Sequence, residues 1–290
     1  MFDYRQINNL PYSFVENKIN DYLAEDAPGG DSTSIPIFPP THQSTFVVKT
    51  REGCVFAGKD ILLPAFGKEC EVDIRVSDGD ELSAGLEIAF VSGPTRELLR
   101  RERIALNLLQ RMCGIATRTK FFVELAKPHG VIILDTRKTI PGMRMFEKYA
   151  VVCGGGKNHR YNLTEGIMIK DNHIAAAGGI KLAIEAVRLD FPDMKIEIEV
   201  DNWEQIPVAL EAGADGFLLD NMDREETLRS VSLIRSDARG SEIAIESSGG
   251  INSETISQYL DTGIDYISLG AITHSAPNID IHMEVPKGKS

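Results

Sequence analysis

Residues 195–220, KIEIEVDNWEQIPVALEAGADGFLLD, decide the fold. A short apolar run closes on charged residues at 195–200, a helical pattern covers Trp203–Ala212, and a second apolar run, GFLLD (216–220), again ends in a carboxylate. Strand, helix and strand in that order make a crossover unit whose two strands run parallel. The same beat recurs at VIILDT (131–136), IMIKD (167–171), IAIESS (243–248) and YISLG (266–270), with helices expected over Ala175–Leu189, Arg224–Ser236 and Ser253–Asp261. Six units with polar chemistry at the carboxyl ends of the strands favour a (β/α) barrel, where those ends converge on one mouth. A doubly wound open sheet is the alternative. No sequence-level repeat is visible beyond this beat.

Residues before about 113 have another texture. A helix is expected over Leu10–Leu23, followed by a turn at EDAPGGDSTS (25–34). Strands are expected near Thr45–Val55, Glu71–Val76 and Glu87–Val91, with a tight turn at SDGDELSAG (77–85). Pro94 opens a helical pattern over Thr95–Ala126, which Gly114 is expected to split into two helices.

At 290 residues the chain is long enough for two domains of ~100–200 residues, or for one large barrel with an appendage. Hydrophobic residues at 42% exclude a disordered chain, and a net charge of −12 argues against nucleic-acid or anionic-membrane binding. The four cysteines (Cys54, Cys70, Cys113, Cys153) have neither disulfide-framework nor zinc spacing. The start MFDYRQINNL lacks a signal-peptide pattern, and no apolar stretch approaches the ~18 residues of a membrane span. A soluble, reduced, cytoplasmic protein is expected.

Against that acidic whole, residues 137–170 carry seven basic side chains and two acidic ones. Arg137 and Lys138 follow the first barrel strand and Lys170 ends the next, so all three should face the mouth. A charge run is usually a solvated face. Here Lys170 closes an apolar strand, where an unpaired ammonium is costly to desolvate, and converging cations suit a multiply charged anion. GGGKNHR (154–160) is neither a Walker loop nor GxGxxG. Its glycines either admit close approach to a ligand, with His159 and Arg160 projecting into the site, or simply make a flexible loop. Glu199 and Asp220 either hold Mg²⁺ with substrate oxygens and water, or pair with the cations opposite. Ser248-Gly249-Gly250 and Gly270-Ala271 suit a phosphate cup at the last two barrel loops. Asn252 and Ser253 suit helix capping as well. A lysine-dependent aldolase using Lys170 and a non-catalytic sensor of a phosphorylated ligand are the rival classes.

LDTRKTIPGMRMFEKYAVVCGGGKNHR (134–160) with IMIKDNHI (167–174) closely resembles the quinolinate phosphoribosyltransferase family. EDAPGGDST (25–33), RERIALNLLQRMCGIAT (101–117), IEIEVDN (196–202), GFLLDNM (216–222), SSGGI (247–251) and DYISLGAITHS (265–275) extend the likeness over nearly the whole chain. Ser247 stands where a small apolar residue is expected. IKDNH (169–173) separates the chain from a related molybdenum-transport family. The resemblance implies an incomplete TIM-like (β/α) barrel (114–275) preceded by an N-terminal α/β sandwich (1–113), which the tail 276–290 completes. It implies conversion of quinolinate and phosphoribosyl pyrophosphate to nicotinate mononucleotide, pyrophosphate and CO₂ in NAD synthesis, with Mg²⁺ and no organic cofactor. Quinolinate carboxylates would meet Arg137, Lys138, His159, Arg160 and Lys170, with Thr136 a further substrate contact. Glu199 and Asp220 would face ribose and metal, while Ser248, Gly249, Gly250 and Gly270 take the 5′-phosphate. Lys138, Lys170, Glu199 and Asp220 are the expected catalytic set. Arg103 would enter the neighbouring subunit's site, so a homodimer, with a higher oligomer left open, is expected.

Overall fold

A computed structural model describes residues 2–286, so the last four residues of the expected tail, 287–290, lie outside the described ones. Five strands precede residue 95: β1 (Gln43–Thr50), β2 (Cys54–Val55), β3 (Glu71–Ile74), β4 (Glu81–Leu82) and β5 (Glu87–Pro94). The six barrel strands are β6 (Ile132–Leu134), β7 (Ile167–Ile169), β8 (Ile196–Val200), β9 (Gly216–Asp220), β10 (Ala244–Ser248) and β11 (Tyr266–Ser268), and β12 (Ile281–Glu284) is the last strand among the described residues.

The chain forms two compact units. One comprises Ile7–Lys120, Pro141–Gly155 and the segment from Ser275 onward. Its antiparallel sheet has the order β12-β1-β5-β3, with β2 and β4 paired separately. Val47, Val48, Ile88, Ala89 and Val91 are buried in it. The expected tight turn at 77–85 includes β4, and the expected strand over Thr45–Val55 is two strands, β1 and β2.

Helix Thr95–Ala126 is one unbroken element of 32 residues, which corrects the expected split at Gly114. Leu98, Ala105, Leu109, Met112 and Ala116 make a buried stripe at helical spacing. Gly114 lies on a face where the chain returns: a Cβ there would stand 1.9 Å from the Pro277 carbonyl oxygen. Glycine serves close approach at that point, and its propensity cost is carried by the helix's length.

The other unit comprises the first six residues, Phe121–Ile140 and Gly156–His274. Its six strands are all parallel, in the order β6-β11-β10-β9-β8-β7. Sequence neighbours β6 and β7 are thus the two ends of the sheet, the pattern of an incomplete TIM-like barrel. Ile196, Ile198, Phe217, Leu219, Ile245 and Ile267 are fully buried on one face of the strands. Period-two alternation puts Glu197, Glu199, Leu218, Glu246 and Ser248 on the other face. Helix Arg224–Ser236 forms as expected, with Asp223 and Glu226 closing a capping box. The helix expected over Ala175–Leu189 is instead two, Asp171–Ala177 and Ile180–Asp190, separated by Gly178 and Gly179 at positive φ. The helix expected over Ser253–Asp261 reduces to a 3₁₀ turn at Ile256–Gln258, and the Asn252 side chain caps that loop from the Glu254 and Thr255 amides.

Candidate active site

The carboxyl ends of β6, β7, β8, β10 and β11 surround a cavity of about 280 Å³. Thr136, Arg137, Lys138, His159, Arg160, Lys170, Glu199 and Ser248 line it, and the structure adds Met168, Leu218, Glu246 and Ser268. Asp220 pairs in register with Ser248 at the adjoining strand ends, and Gly249 and Gly250 follow at once with φ of 89° and 63°. A Cβ on Gly270 would stand 3.0 Å from Lys138 Cδ and 3.2 Å from the His274 ring, so this loop too is closely approached. Ser268 Oγ donates to Ser248 Oγ at 3.0 Å, tying the last two loops together.

The basic run of 137–170 is not one patch. Arg137, Lys138, Arg160 and Lys170 reach the mouth, and Lys157 lines a different cavity in the same unit. Arg144 and Lys148 lie on helix Arg144–Cys153 in the other unit, where the buried Glu147 accepts from Arg111 Nη2 at 2.9 Å. Two of the three glycines are explained by that helix: a Cβ on Gly154 would meet the Ala116 carbonyl at 2.4 Å, and Gly155 follows the helix end with φ 83°.

Nor is the segment after the glycines a flexible loop. Lys157 bridges to Leu134 in parallel fashion, its N–H donating to the Ile133 carbonyl. The fully buried Asp135 carboxylate then accepts from Asn158 Nδ2 at 2.7 Å and from the His159 N–H at 2.9 Å. Arg160, 5% exposed, is aimed by donation from Nη1 to the Gly166 carbonyl at 2.9 Å. Asp135 is a positioning group that sequence reasoning missed. Its signal was a carboxylate at a strand end, but the partners come from residues 158 and 159 and are set only by the fold.

Lys170 stands at the N-cap position of helix Asp171–Ala177, its N–H donates to His173 Nδ1 at 3.0 Å, and its Nζ is bonded to Glu199 Oε2. Of the two roles open to Glu199, pairing with a cation opposite is therefore realised. Asp220 Oδ2 accepts from Asn221 Nδ2 at 2.7 Å.

Beneath the mouth, His159 Nε2 lies 3.3 Å from Glu197 Oε2 and 3.5 Å from Glu246 Oε2. Tyr4 stacks on the imidazole at 4.6 Å and donates to Glu197 at 3.2 Å. Burial alone would lower the His159 pKa, but Glu246 and Glu197 outweigh it and push it up to about 10. Burial, and then Glu246, raise the Glu197 carboxyl. The Arg160 amide nitrogen lies 2.7 Å from His159 Nδ1. A proton on Nε2 faces the two carboxylates. His159 thus lines the mouth with both ring nitrogens engaged within the protein. This trio is a three-ligand group of metal-binding residue types among the described residues.

Arg103 lies in the other unit, on helix Thr95–Ala126, lining a cavity of about 270 Å³ with Tyr22, Asp26, Asn107 and Met143. Among the described residues no helix is long and apolar enough to cross a membrane.

Two family models match: the quinolinate phosphoribosyl transferase N-terminal domain over residues 31–113 and its C-terminal domain over residues 115–284. A probable nicotinate-nucleotide pyrophosphorylase (carboxylating) of Bacillus subtilis is 42% identical over 275 residues, covering 93% of each chain. The nicotinate-nucleotide pyrophosphorylase (carboxylating) of Mycobacterium leprae is 38% identical, covering 96% of this chain and 100% of its own. Among solved structures, the nicotinate-nucleotide pyrophosphorylase of Francisella tularensis superimposes with a TM-score of 0.91 at 36% identity, covering 98% of this chain and 100% of that one.

Proposed function

The chain belongs to the quinolinate phosphoribosyltransferase family, and from that premise we propose how its barrel mouth performs the reaction. The protein is a decarboxylating phosphoribosyltransferase that converts quinolinate and phosphoribosyl pyrophosphate to nicotinate mononucleotide, pyrophosphate and CO₂. Arg137 and Arg160 hold the quinolinate carboxylates through planar, bidentate hydrogen bonds, and Lys138 and Lys170 add point charges. One observation carries this assignment. In a chain of net charge −12, these four cations line a single cavity.

The reaction displaces pyrophosphate at the anomeric carbon and develops positive charge on the ribose ring. Glu199 and Asp220 oppose that charge from the ends of β8 and β9. Ser248, Gly249, Gly250 and Gly270 offer backbone N–H groups and room for the 5′-phosphate. Holding the pyridine nitrogen against the anomeric carbon supplies the entropic part of the acceleration. Once ribosylated, the pyridinium nitrogen accepts the electron pair released as the 2-carboxylate leaves, so no organic cofactor is needed.

The donor set at the mouth fits Mg²⁺. Glu199 is engaged by Lys170 and Asp220 by Asn221, which leaves a few carboxylate oxygens rather than a full cage, and Mg²⁺ prefers few carboxylates with water and phosphate oxygens. When bound, Mg²⁺ neutralises charge on the pyrophosphate leaving group. Lys170 is the ion-pair partner of Glu199, an arrangement for binding charge that disfavours the aldolase alternative. We further propose a homodimer in which Arg103 reaches the neighbouring site, and a cytoplasmic location consistent with four free cysteines.

Calorimetric titration tests the cation assignment. Arg137→Ala or Lys170→Ala should weaken quinolinate by at least about tenfold, while phosphoribosyl pyrophosphate affinity changes by less than about threefold. Equal losses for the two ligands would contradict it.

A further inference from the structure

Asn221 is the only non-glycine among the described residues with positive φ, at 55°. That conformation is strained for an ordinary L-residue, and Asn tolerates it best. The residue is exposed, so core packing does not impose it. Three local contacts account for it instead. The Asn221 side-chain amide donates to Asp220 Oδ2 at 2.7 Å. Its backbone N–H donates to the Ser248 carbonyl at 2.9 Å, beyond the last β9–β10 register pair. Its Oδ1 occupies the space beside Gly249, where a Cβ would come within 2.3 Å of that oxygen.

One side chain therefore touches both the carboxylate that ends β9 and the glycine loop that follows β10. Within a phosphoribosyl group the ring hydroxyls and the 5′-phosphate are separated by a fixed set of bonds. A site that grips both must hold its two halves at a fixed spacing. Left-handed backbone at Asn221 turns the chain so that its amide faces Asp220 while its carbonyl oxygen faces Gly249.

We propose that Asn221 is a positioning residue that fixes Asp220 and the Ser248–Gly250 loop relative to one another, and so sets affinity for the phosphoribosyl substrate. This rests on the reading of Asp220 and that loop as the ribose and 5′-phosphate contacts. Gly249 is the complementary half of the device, since any larger residue there would displace the Asn221 amide.

Asn221→Gly keeps the backbone conformation free of strain while deleting the amide, and Asn221→Asp keeps the side-chain shape while replacing the donor. Each is compared with wild type by calorimetry, one substrate at a time in Mg²⁺ buffer, so that no turnover occurs. Both variants are expected to lose about tenfold in phosphoribosyl pyrophosphate affinity with quinolinate affinity within about twofold of wild type. In the double variant Asp220→Asn/Asn221→Gly, the loss should be smaller than the sum of the two single losses, because the amide acts in part through the carboxylate. Unchanged phosphoribosyl pyrophosphate affinity in Asn221→Gly, an equal loss for quinolinate, or full additivity in the double variant would overturn the inference. Should Asn221→Gly fail to fold by circular dichroism, Asn221→Asp decides by the same two affinities. Wild-type protein that binds no phosphoribosyl pyrophosphate would sink the site reading itself, and this inference with it. Wild-type binding with an indifferent Asn221 would sink only the latter.

Discussion

His159 sits with its Nε2 between two carboxylates that are themselves almost completely buried. Its proton is held more tightly in the folded chain than in the unfolded one, where the imidazole pKa is about 6.5. The stability gained from that group is complete below about pH 6.5 and is lost as pH rises through about 10. Glu246→Gln removes the strongest of the raising charges, so the folded variant releases this proton earlier. The stability difference between wild type and Glu246→Gln should therefore shrink between about pH 7 and about pH 10, measured by urea unfolding at each pH. A difference that stays constant or widens would contradict the account. At this scale the sequence made Arg137, Lys138, Lys170 and the two outer carboxylates visible, because each ends or follows an apolar run, whereas Arg160 was read only from its place after a glycine triplet. Asp135, Glu197 and Glu246 were hidden for a physical reason. Their partners come from distant strands and from residues 4 and 158–159, and only the folded sheet brings them together.

Periodic runs marked most barrel strands to within a residue or two, since each had an apolar face long enough to be read alone. Glycines were harder to interpret. Gly114 was expected to break a helix and instead lets the chain at Pro277 lie against one. Gly178 and Gly179, inside a stretch expected to be one helix, divide it into a pair. One residue type serves turns, helix ends and close approach, and the choice depends on neighbours remote in sequence. Gly114→Ala separates the two meanings. Helix propensity alone predicts a gain of roughly 0.8–1 kcal/mol, whereas the 1.9 Å overlap with the Pro277 carbonyl predicts a net loss. We expect destabilisation of about 1–3 kcal/mol, visible as a lower melting temperature. A higher melting temperature would show that the approach of Pro277 is not what selects glycine.

Across the whole molecule the acidic balance of −12 coexists with a cationic mouth, because charge is distributed by location rather than by stretch of sequence. Cations that were neighbours in the run 137–170 end in different units, while Lys170 joins Arg137 from across the sheet's open ends. The proposed homodimer is tested at this scale too. Arg103→Ala should be inactive yet still assemble, and so should Arg137→Ala. Mixing the two should restore some activity through hybrid dimers that contain one intact site. Complete failure to complement, with subunit exchange confirmed by mass spectrometry, would contradict a site completed by the neighbouring Arg103.

The most direct measurement is incubation with phosphoribosyl pyrophosphate, Mg²⁺ and either quinolinate or nicotinic acid, following CO₂ and nicotinate mononucleotide together. A mouth built for two carboxylates predicts equal amounts of both products from quinolinate and negligible turnover of nicotinic acid. Nucleotide formed from nicotinic acid as readily as from quinolinate, with no CO₂ released, would contradict it.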